Sequence, residues 1–219
     1  MSLWILPVLL AITLHEAAHG FVAWRLGDDT AYRQGRVSAN PLRHIDPIGT
    51  VILPGMLFLS GSPFLFGYAK PVPVQFRNLH NPRRDSILVA AAGPAANLLI
   101  ALASAILVNA VFVLPDQAKT WATNTLVNSI ILNISLAVFN LLPIPPLDGS
   151  RVLLGLLPKR LAEVYGRLFR YGLLLVIGII LLPPLIGRNL GIDIDVIGWM
   201  MDRPVQYLLQ ILAPLTGLR

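Results

Sequence analysis

The sequence predicts an all-α polytopic membrane protein, and three observations carry that prediction. Of the 219 residues, 55% are hydrophobic and only 13% are charged, and the mean hydropathy is +0.70. A soluble domain of this size could not hide so much apolar surface. Several apolar segments are long enough to cross a bilayer. The basic residues border these segments, which indicates membrane topology and not a nucleic-acid partner.

Four apolar segments are predicted to span the membrane as helices: Ser2–Trp24, Ser86–Leu114, Thr123–Leu142 and roughly Leu168–Leu182. The first is expected to be retained, because it lacks the basic start and the small-residue cleavage site of a signal peptide. A further stretch, Ile48–Phe66, is interrupted by prolines and glycines, so we expect a re-entrant or broken hairpin there. The last stretch, Val205–Leu215, is short for a span and either crosses the membrane or lies in its interface.

The first span carries the motif His15-Glu16-Ala17-Ala18-His19. Two histidines four residues apart lie on one face of a helix, so both rings can bind one Zn²⁺. Glu16 lies beside the pair and can take a proton from a metal-bound water. A pair of surface histidines is the alternative, but no polar helix face accompanies them. Adjacent ionisable groups in hydrocarbon are costly, which favours a functional site.

A catalytic zinc site usually has a third protein ligand. The chain has no cysteine, so the ligand must be a histidine or a carboxylate, and the candidates are His44, Asp46, His80 and Asp148. Asp148 follows the proline-rich run 140–147, where the chain must unwind as it leaves the bilayer. Its alternative task is to cap the next helix. Beside an intramembrane histidine pair that lacks a third ligand, the ligand interpretation is favoured.

Charge distribution predicts the topology. If the histidine pair, a turn at Ala92-Gly93-Pro94 and Asp148 meet, residues 27–85 must leave and return on one side of the membrane. Thirteen basic residues then share that side and three lie opposite. By the positive-inside rule, the shared side is cytoplasmic.

Three motifs together resemble those of the site-2 protease family of intramembrane zinc metalloproteases. His15–His19 is similar to the zinc helix of that family. Gly93–Asn97 is similar to its G-P-x-x-N motif, and Asn140–Gly149 to its N-x-x-P-x-x-x-x-D-G motif. The motifs cover residues 15–149 in the order of the family. The chain resembles a compact form, since it has no room for PDZ or CBS domains.

The resemblance implies one Zn²⁺ per chain. Its ligands would be His15, His19 and Asp148, and Glu16 would be the catalytic base. Asn97 and Asn140 become candidate donors to the substrate backbone or to an oxyanion. Asparagines in membrane helices also commonly bond across a helix interface, and that alternative stays open.

The predicted function is therefore an intramembrane zinc metalloprotease that cuts a peptide bond within or near a transmembrane segment of a membrane-protein substrate. We expect one membrane-embedded domain over residues 1–219, with a core of three transmembrane helices that carries the zinc site in 1–157 and accessory helices in 158–219. The expected location is a bacterial or archaeal cell membrane, with lipid and a transmembrane protein as partners.

A helical substrate must unwind before hydrolysis, and an edge strand would pair with the extended peptide. The stretch Ala31–Ala39 is expected to form such a short β-like segment, although a plain surface turn fits equally well.

Two other functions remain: a non-hydrolytic zinc-binding pseudoprotease and a metal transporter. Glu16 argues against the first, because pure binding needs no base. Clustering of the polar groups at one depth argues against the second.

Overall fold

The computed structural model describes residues 2–52, 55, 56, 59, 70–192 and 194–217. Its helices, numbered in chain order, are α1 (Ser2–Arg25), α2 (Thr30–Arg33), α3 (Pro82–Val108), α4 (Asp116–Leu141), α5 (Asp148–Leu156), α6 (Lys159–Gly166), α7 (Gly172–Leu190) and α8 (Val196–Thr216). Within these ranges no residue belongs to a β-strand. The protein is therefore all-helical over the part described, as the sequence predicts.

Four helical segments of the described chain are long and apolar enough to cross a bilayer: Leu3–Arg25, Pro82–Val113, Asp116–Leu141 and Lys159–Gly187. They coincide with the four predicted spans, and their length and composition are those of membrane-spanning helices. The last one is longer than predicted, because α6 continues through a 3₁₀ turn at Arg167–Tyr171 into α7.

Helices α1, α3 and α4 pack against one another and form the centre of the molecule. Small residues on α3, Ala101 and Ala105, are fully buried against Ile130 and Ile134 of α4. Small side chains one turn apart let two membrane helices approach closely. The predicted apolar stretch Val205–Leu215 falls within the longer helix α8, which lies against α3 and α4.

The expectation of a β-like segment over Ala31–Ala39 is wrong, since none of these residues belongs to a strand. The stretch forms turns, but it is not a plain surface turn, because Ala31 and Arg36 are buried. Residues 30–33 form the single helical turn α2. Asp28 Oδ1 accepts hydrogen bonds from the backbone N–H and the hydroxyl of Thr30, at 3.2 and 2.5 Å. Asp29 pairs with Arg33 at 2.6 Å. Such side-chain contacts within the loop stabilise a turn over an extended strand.

The turn expected at Ala92-Gly93-Pro94 is also absent, since α3 begins at Pro82 and continues through Pro94. Most of Ile48–Phe66 lies outside the described residues, and its first part belongs to a π-helical turn over Pro47–Ile52. Residues 70–75, here called the returning segment, have no regular secondary structure, and they contact α1 through Val72.

Candidate metal centre

Three side chains from two helices converge on one point. His15 and His19 lie one turn apart on α1 and are only 8% and 9% exposed. Their Nε2 atoms are 3.1 Å apart. Asp148 Oδ2 lies 3.1 Å from His15 Nε2 and 3.3 Å from His19 Nε2. The structure thus brings together the histidine pair and one of the predicted third partners.

Local sequence explains how Asp148 reaches α1. Helix α4 ends at Leu141, and the prolines that follow prevent it from continuing. Gly149 packs directly on the Leu141 carbonyl, where any Cβ would overlap with it. Asp148 is the first residue of α5, whose N-cap position is held by Leu147. Its buried Oδ2 faces the two histidines, so the helix-cap alternative does not describe this carboxylate.

The other histidines have separate environments. His44 is 2% exposed, and its Nε2 donates to the Ser38 carbonyl at 2.9 Å. His80 is exposed near Gly27. Within the described ranges, the group that could hold a metal ion contains neither of them.

Each ring of the pair is oriented by its second nitrogen. His19 Nδ1 donates to the Val89 carbonyl at 2.7 Å, and His15 Nδ1 donates to Asn97 Oδ1 at 2.6 Å. A carbonyl oxygen only accepts, so His19 Nδ1 must carry the hydrogen. In the neutral rings both Nε2 atoms therefore present lone pairs to each other and to Asp148.

This donor set fits a zinc ion. A tetrahedral zinc with bonds of about 2.0–2.1 Å keeps its ligand atoms about 3.3–3.4 Å apart, close to the observed separations of 3.1, 3.1 and 3.3 Å. Asp148 Oδ2 is buried without a hydrogen-bond partner, and three lone-pair atoms this close repel unless a cation lies among them. A Cβ on Gly93 would lie 2.6 Å from His15 Nε2 and closer still to His19 Nε2. The glycine therefore keeps this space open.

Glu16 lies beside the cluster and is held by the returning segment. Its Oε2 accepts a hydrogen bond from the Val72 backbone N–H at 2.8 Å. Prolines flank Val72 on both sides, so its N–H is the one backbone donor of residues 71–73. No described residue hydrogen bonds the other oxygen, Oε1.

Two buried charged residues fix the returning segment in place. Arg36 is 8% exposed and donates to the Lys70 carbonyl at 2.5 Å. Asp28 is fully buried and accepts from the Gln75 N–H at 2.6 Å and from Asn78 Nδ2 at 3.1 Å. Burial raises the pKa of Asp28, but these hydrogen bonds and those of Thr30 outweigh it and leave the pKa below its usual range. The loop is built around an ionised carboxylate.

The two candidate asparagines differ in their surroundings. Asn97 is fully buried, and its amide nitrogen donates to Asn133 Oδ1 at 2.8 Å and to the Ala11 carbonyl at 3.3 Å. Both of its amide hydrogens therefore have protein partners in this structure. Asn140 is half-buried and donates to Leu136 O of its own helix at 3.0 Å.

Sequence reasoning missed two groups at this centre. Asn133 is fully buried on α4 and bonds Asn97; a polar residue within an apolar span is the signal that marks it. For the Val72 N–H, the signal in the sequence is the Pro71-Val72-Pro73 pattern. That pattern shows an isolated donor, but only the fold shows what the donor contacts.

Comparison with known proteins gives a consistent result. A sequence profile of peptidase family M50 matches residues 110–183. YwhC of Bacillus subtilis, provisionally named a zinc metalloprotease, is 34% identical over 187 residues, which cover 84% of this chain and 82% of YwhC. Rip2 of Mycobacterium tuberculosis, named in the same provisional way, is 31% identical over 194 residues, which cover 89% of this chain and 71% of Rip2. No solved structure matches the chain.

Rip2 of Mycolicibacterium smegmatis gives a further match, 32% identical over 178 residues, which cover 81% of this chain and 66% of that protein. These similarities extend over most of the chain. They agree with the four apolar helices and with the donor set built on α1 and α5. The protein belongs to peptidase family M50, the site-2 protease family of membrane zinc metalloproteases.

Proposed function

We propose that this protein is an intramembrane zinc endopeptidase that hydrolyses a peptide bond within or near a transmembrane segment of a membrane-protein substrate. In this proposal His15, His19 and Asp148 hold one Zn²⁺ and Glu16 is the catalytic base. The observation that carries it is the convergence of three donor atoms within 3.3 Å of one another. A second carboxylate, Glu16, lies on the same helix as the two histidines. The core of α1, α3 and α4, together with the start of α5, would carry the site.

Charge balance supports the metal. Asp148 and Glu16 bring two negative charges to a partly buried site, and unpaired charges there are costly. A divalent cation held by two neutral imidazoles and one carboxylate offsets both charges. Zinc, when bound in such a site, lowers the pKa of a water ligand toward neutrality and polarises a carbonyl.

Glu16 performs the proton transfer in this mechanism. Its carboxylate accepts the proton of the attacking water and returns it to the leaving amine. The Val72 N–H fixes Oε2, which leaves Oε1 to exchange the proton. A transmembrane substrate has its own amides satisfied, so it must unwind before the scissile bond becomes accessible. Asn140 uses one amide hydrogen on its own helix, and its second is a candidate donor to the unwound substrate.

We also propose that Ile48–Phe66 re-enters the membrane and returns on the side from which it left. The support is a backbone hydrogen bond of 3.0 Å from the Lys70 N–H to the His44 carbonyl. The two ends of the excursion thus lie together, which a single crossing could not achieve. The excess of basic residues on this side supports a location of this side, and of the metal centre, at the cytoplasmic face of a bacterial or archaeal cell membrane.

Single cysteines in this cysteine-free chain test the topology. Gln34, Arg77 and Gln117 are exposed, and their side chains make no hydrogen bond that the variants would lose. A membrane-impermeant thiol reagent should label cysteines at positions 34 and 77 from one side and at position 117 from the other. Labelling of positions 34 and 77 from opposite sides would make Ile48–Phe66 a true span and overturn the re-entrant proposal.

Reconstitution into lipid vesicles tests the function itself. The protein is stripped of metal with a chelator, supplied with a model transmembrane peptide, and then given Zn²⁺. We expect cleavage within or near the apolar segment, seen by mass spectrometry of the products, only after zinc is restored. Zinc flux into the same vesicles without cleavage would instead indicate a transporter, and stoichiometric zinc with neither activity would indicate a pseudoprotease.

A further inference from the structure

A continuous line of buried polar side chains runs from the metal cluster into helix α4. His15 Nδ1 contacts Asn97 Oδ1 at 2.6 Å, and Asn97 Nδ2 contacts Asn133 Oδ1 at 2.8 Å. Asn133 Nδ2 then donates to the Ser129 backbone carbonyl at 2.8 Å. Asn97 and Asn133 are both 0% exposed. Buried polar groups in a membrane helix bundle are costly unless they are all satisfied, so this line calls for a reason beyond packing.

The line has a direction that its far end determines. The Ser129 carbonyl can only accept, so the amide nitrogen of Asn133 must face it. The amide oxygen of Asn133 then faces Asn97 and requires the nitrogen of Asn97 on that side. The Ala11 carbonyl, 3.3 Å from the same nitrogen, imposes the same orientation. The oxygen of Asn97 is thereby turned toward His15.

The consequence reaches the metal centre. An amide oxygen opposite His15 Nδ1 requires the hydrogen on Nδ1 and leaves a lone pair on Nε2, which faces Asp148. With the hydrogen on Nε2 instead, the ring would present a donor where a cation must bind. The Val89 carbonyl requires the same tautomer of His19, because it accepts a hydrogen bond from His19 Nδ1. One histidine is set by the backbone, and the other is set through two side-chain amides.

We propose that Asn133 is a positioning residue that fixes, through Asn97, the tautomer and ring orientation of His15. Partners of this kind typically change metal affinity by about 10–100-fold. The proposal rests on the metal centre of the proposed function. Its first readout, the tautomer of a histidine ring in metal-free protein, needs neither zinc nor catalysis. The positioning role of Asn133 and the proposed function can therefore fail separately.

The test compares Asn133→Leu with a matched control, Ser104→Ala. Leucine keeps the branched shape of asparagine without its polar atoms. Ser104 lies at the same α3–α4 interface, is 5% exposed, and bonds the Ser129 hydroxyl at 2.9 Å. Its loss removes a buried interhelical hydrogen bond. The Ser129 hydroxyl also lies 3.3 Å from Asn133 Nδ2, but the variant keeps this hydroxyl and the Ser129 carbonyl that orients Asn133. Both variants are checked for folding by thermal unfolding in detergent, and Asn133→Ala replaces Asn133→Leu if the latter does not fold.

The readout is the nitrogen chemical shifts of ¹⁵N-histidine-labelled, metal-free protein at alkaline pH, where the rings are neutral. Wild type and Ser104→Ala should show His15 with its hydrogen on Nδ1. Asn133→Leu should add a population with the hydrogen on Nε2 and should bind zinc about tenfold more weakly, as measured by competition with a chromophoric chelator. An unchanged tautomer and zinc affinity in Asn133→Leu would overturn the proposal, and so would the same change in Ser104→Ala.

Discussion

Gly93 offers a sharp test of the metal centre, because the glycine lies where the two histidines and Asp148 converge. In Gly93→Ala the new Cβ would lie 2.6 Å from His15 Nε2 and closer still to His19 Nε2, whereas real Cβ atoms essentially never come within 3.0 Å. The rings would have to retreat by roughly half an ångström, beyond the ~0.2 Å tolerance of metal–ligand distances. The methyl group would also occupy the space among the donors. We expect zinc affinity to fall at least about a hundredfold, ~2.8 kcal/mol.

Stability should not account for that loss. Alanine exceeds glycine in helix propensity by about 0.8–1 kcal/mol, and position 93 lies inside α3. The control is Gly178→Ala in α7, where a Cβ would meet only Leu182 Cδ1 at an ordinary 3.7 Å. Zinc content by elemental mass spectrometry and chelator competition measure the effect in detergent-purified protein. Wild-type zinc affinity in Gly93→Ala would refute the reasoning, and equal losses in both variants would show a general effect of alanine.

Two further predictions concern the third ligand and the loop that holds the base. Asp148→Ala should lose bound zinc and peptide cleavage together, while His44→Ala should keep the metal; the opposite pattern would transfer the ligand role to His44. Asp28→Asn should raise the amide exchange rate of Gln75, since loss of charge-assisted bonds costs about 1.5–3 kcal/mol. Because the pKa of Asp28 is lowered in the fold, its stabilisation is present above the unfolded pKa of about 3.9 and is lost as pH falls through the folded value. A wild-type advantage that grows on acidification would contradict this sign.

The part of the site that lies on one helix could be predicted from sequence. His15 and His19 are four residues apart, and helical geometry alone places them on one face. Helical geometry alone could not identify Asp148, because several carboxylates and histidines were candidates for the third zinc ligand. Its proline-rich approach and its family resemblance singled it out, and the packing of Gly149 on Leu141 shows how the chain brings it back.

Contacts between helices could not be predicted in the same way. The direction of the line through Asn97 and Asn133 depends on which carbonyl faces which amide once α1, α3 and α4 have packed. The Val72 N–H contacts Glu16 only after residues far apart in sequence are joined by the loop. The strand expected at Ala31–Ala39 failed for the opposite reason, since local side-chain contacts of Asp28 outweigh the extended pattern.

The central claim is that Glu16 transfers the proton at a zinc held by other residues. Its most direct test is peptide cleavage and zinc content measured together in Glu16→Gln, with Glu163→Gln as the matched control. Glu163 is exposed on α6, so its variant removes the same charge away from the centre. We predict that Glu16→Gln keeps one zinc per chain and the fold but loses at least about a hundredfold in cleavage rate, while Glu163→Gln behaves as wild type. Cleavage by Glu16→Gln at the wild-type rate would contradict the account.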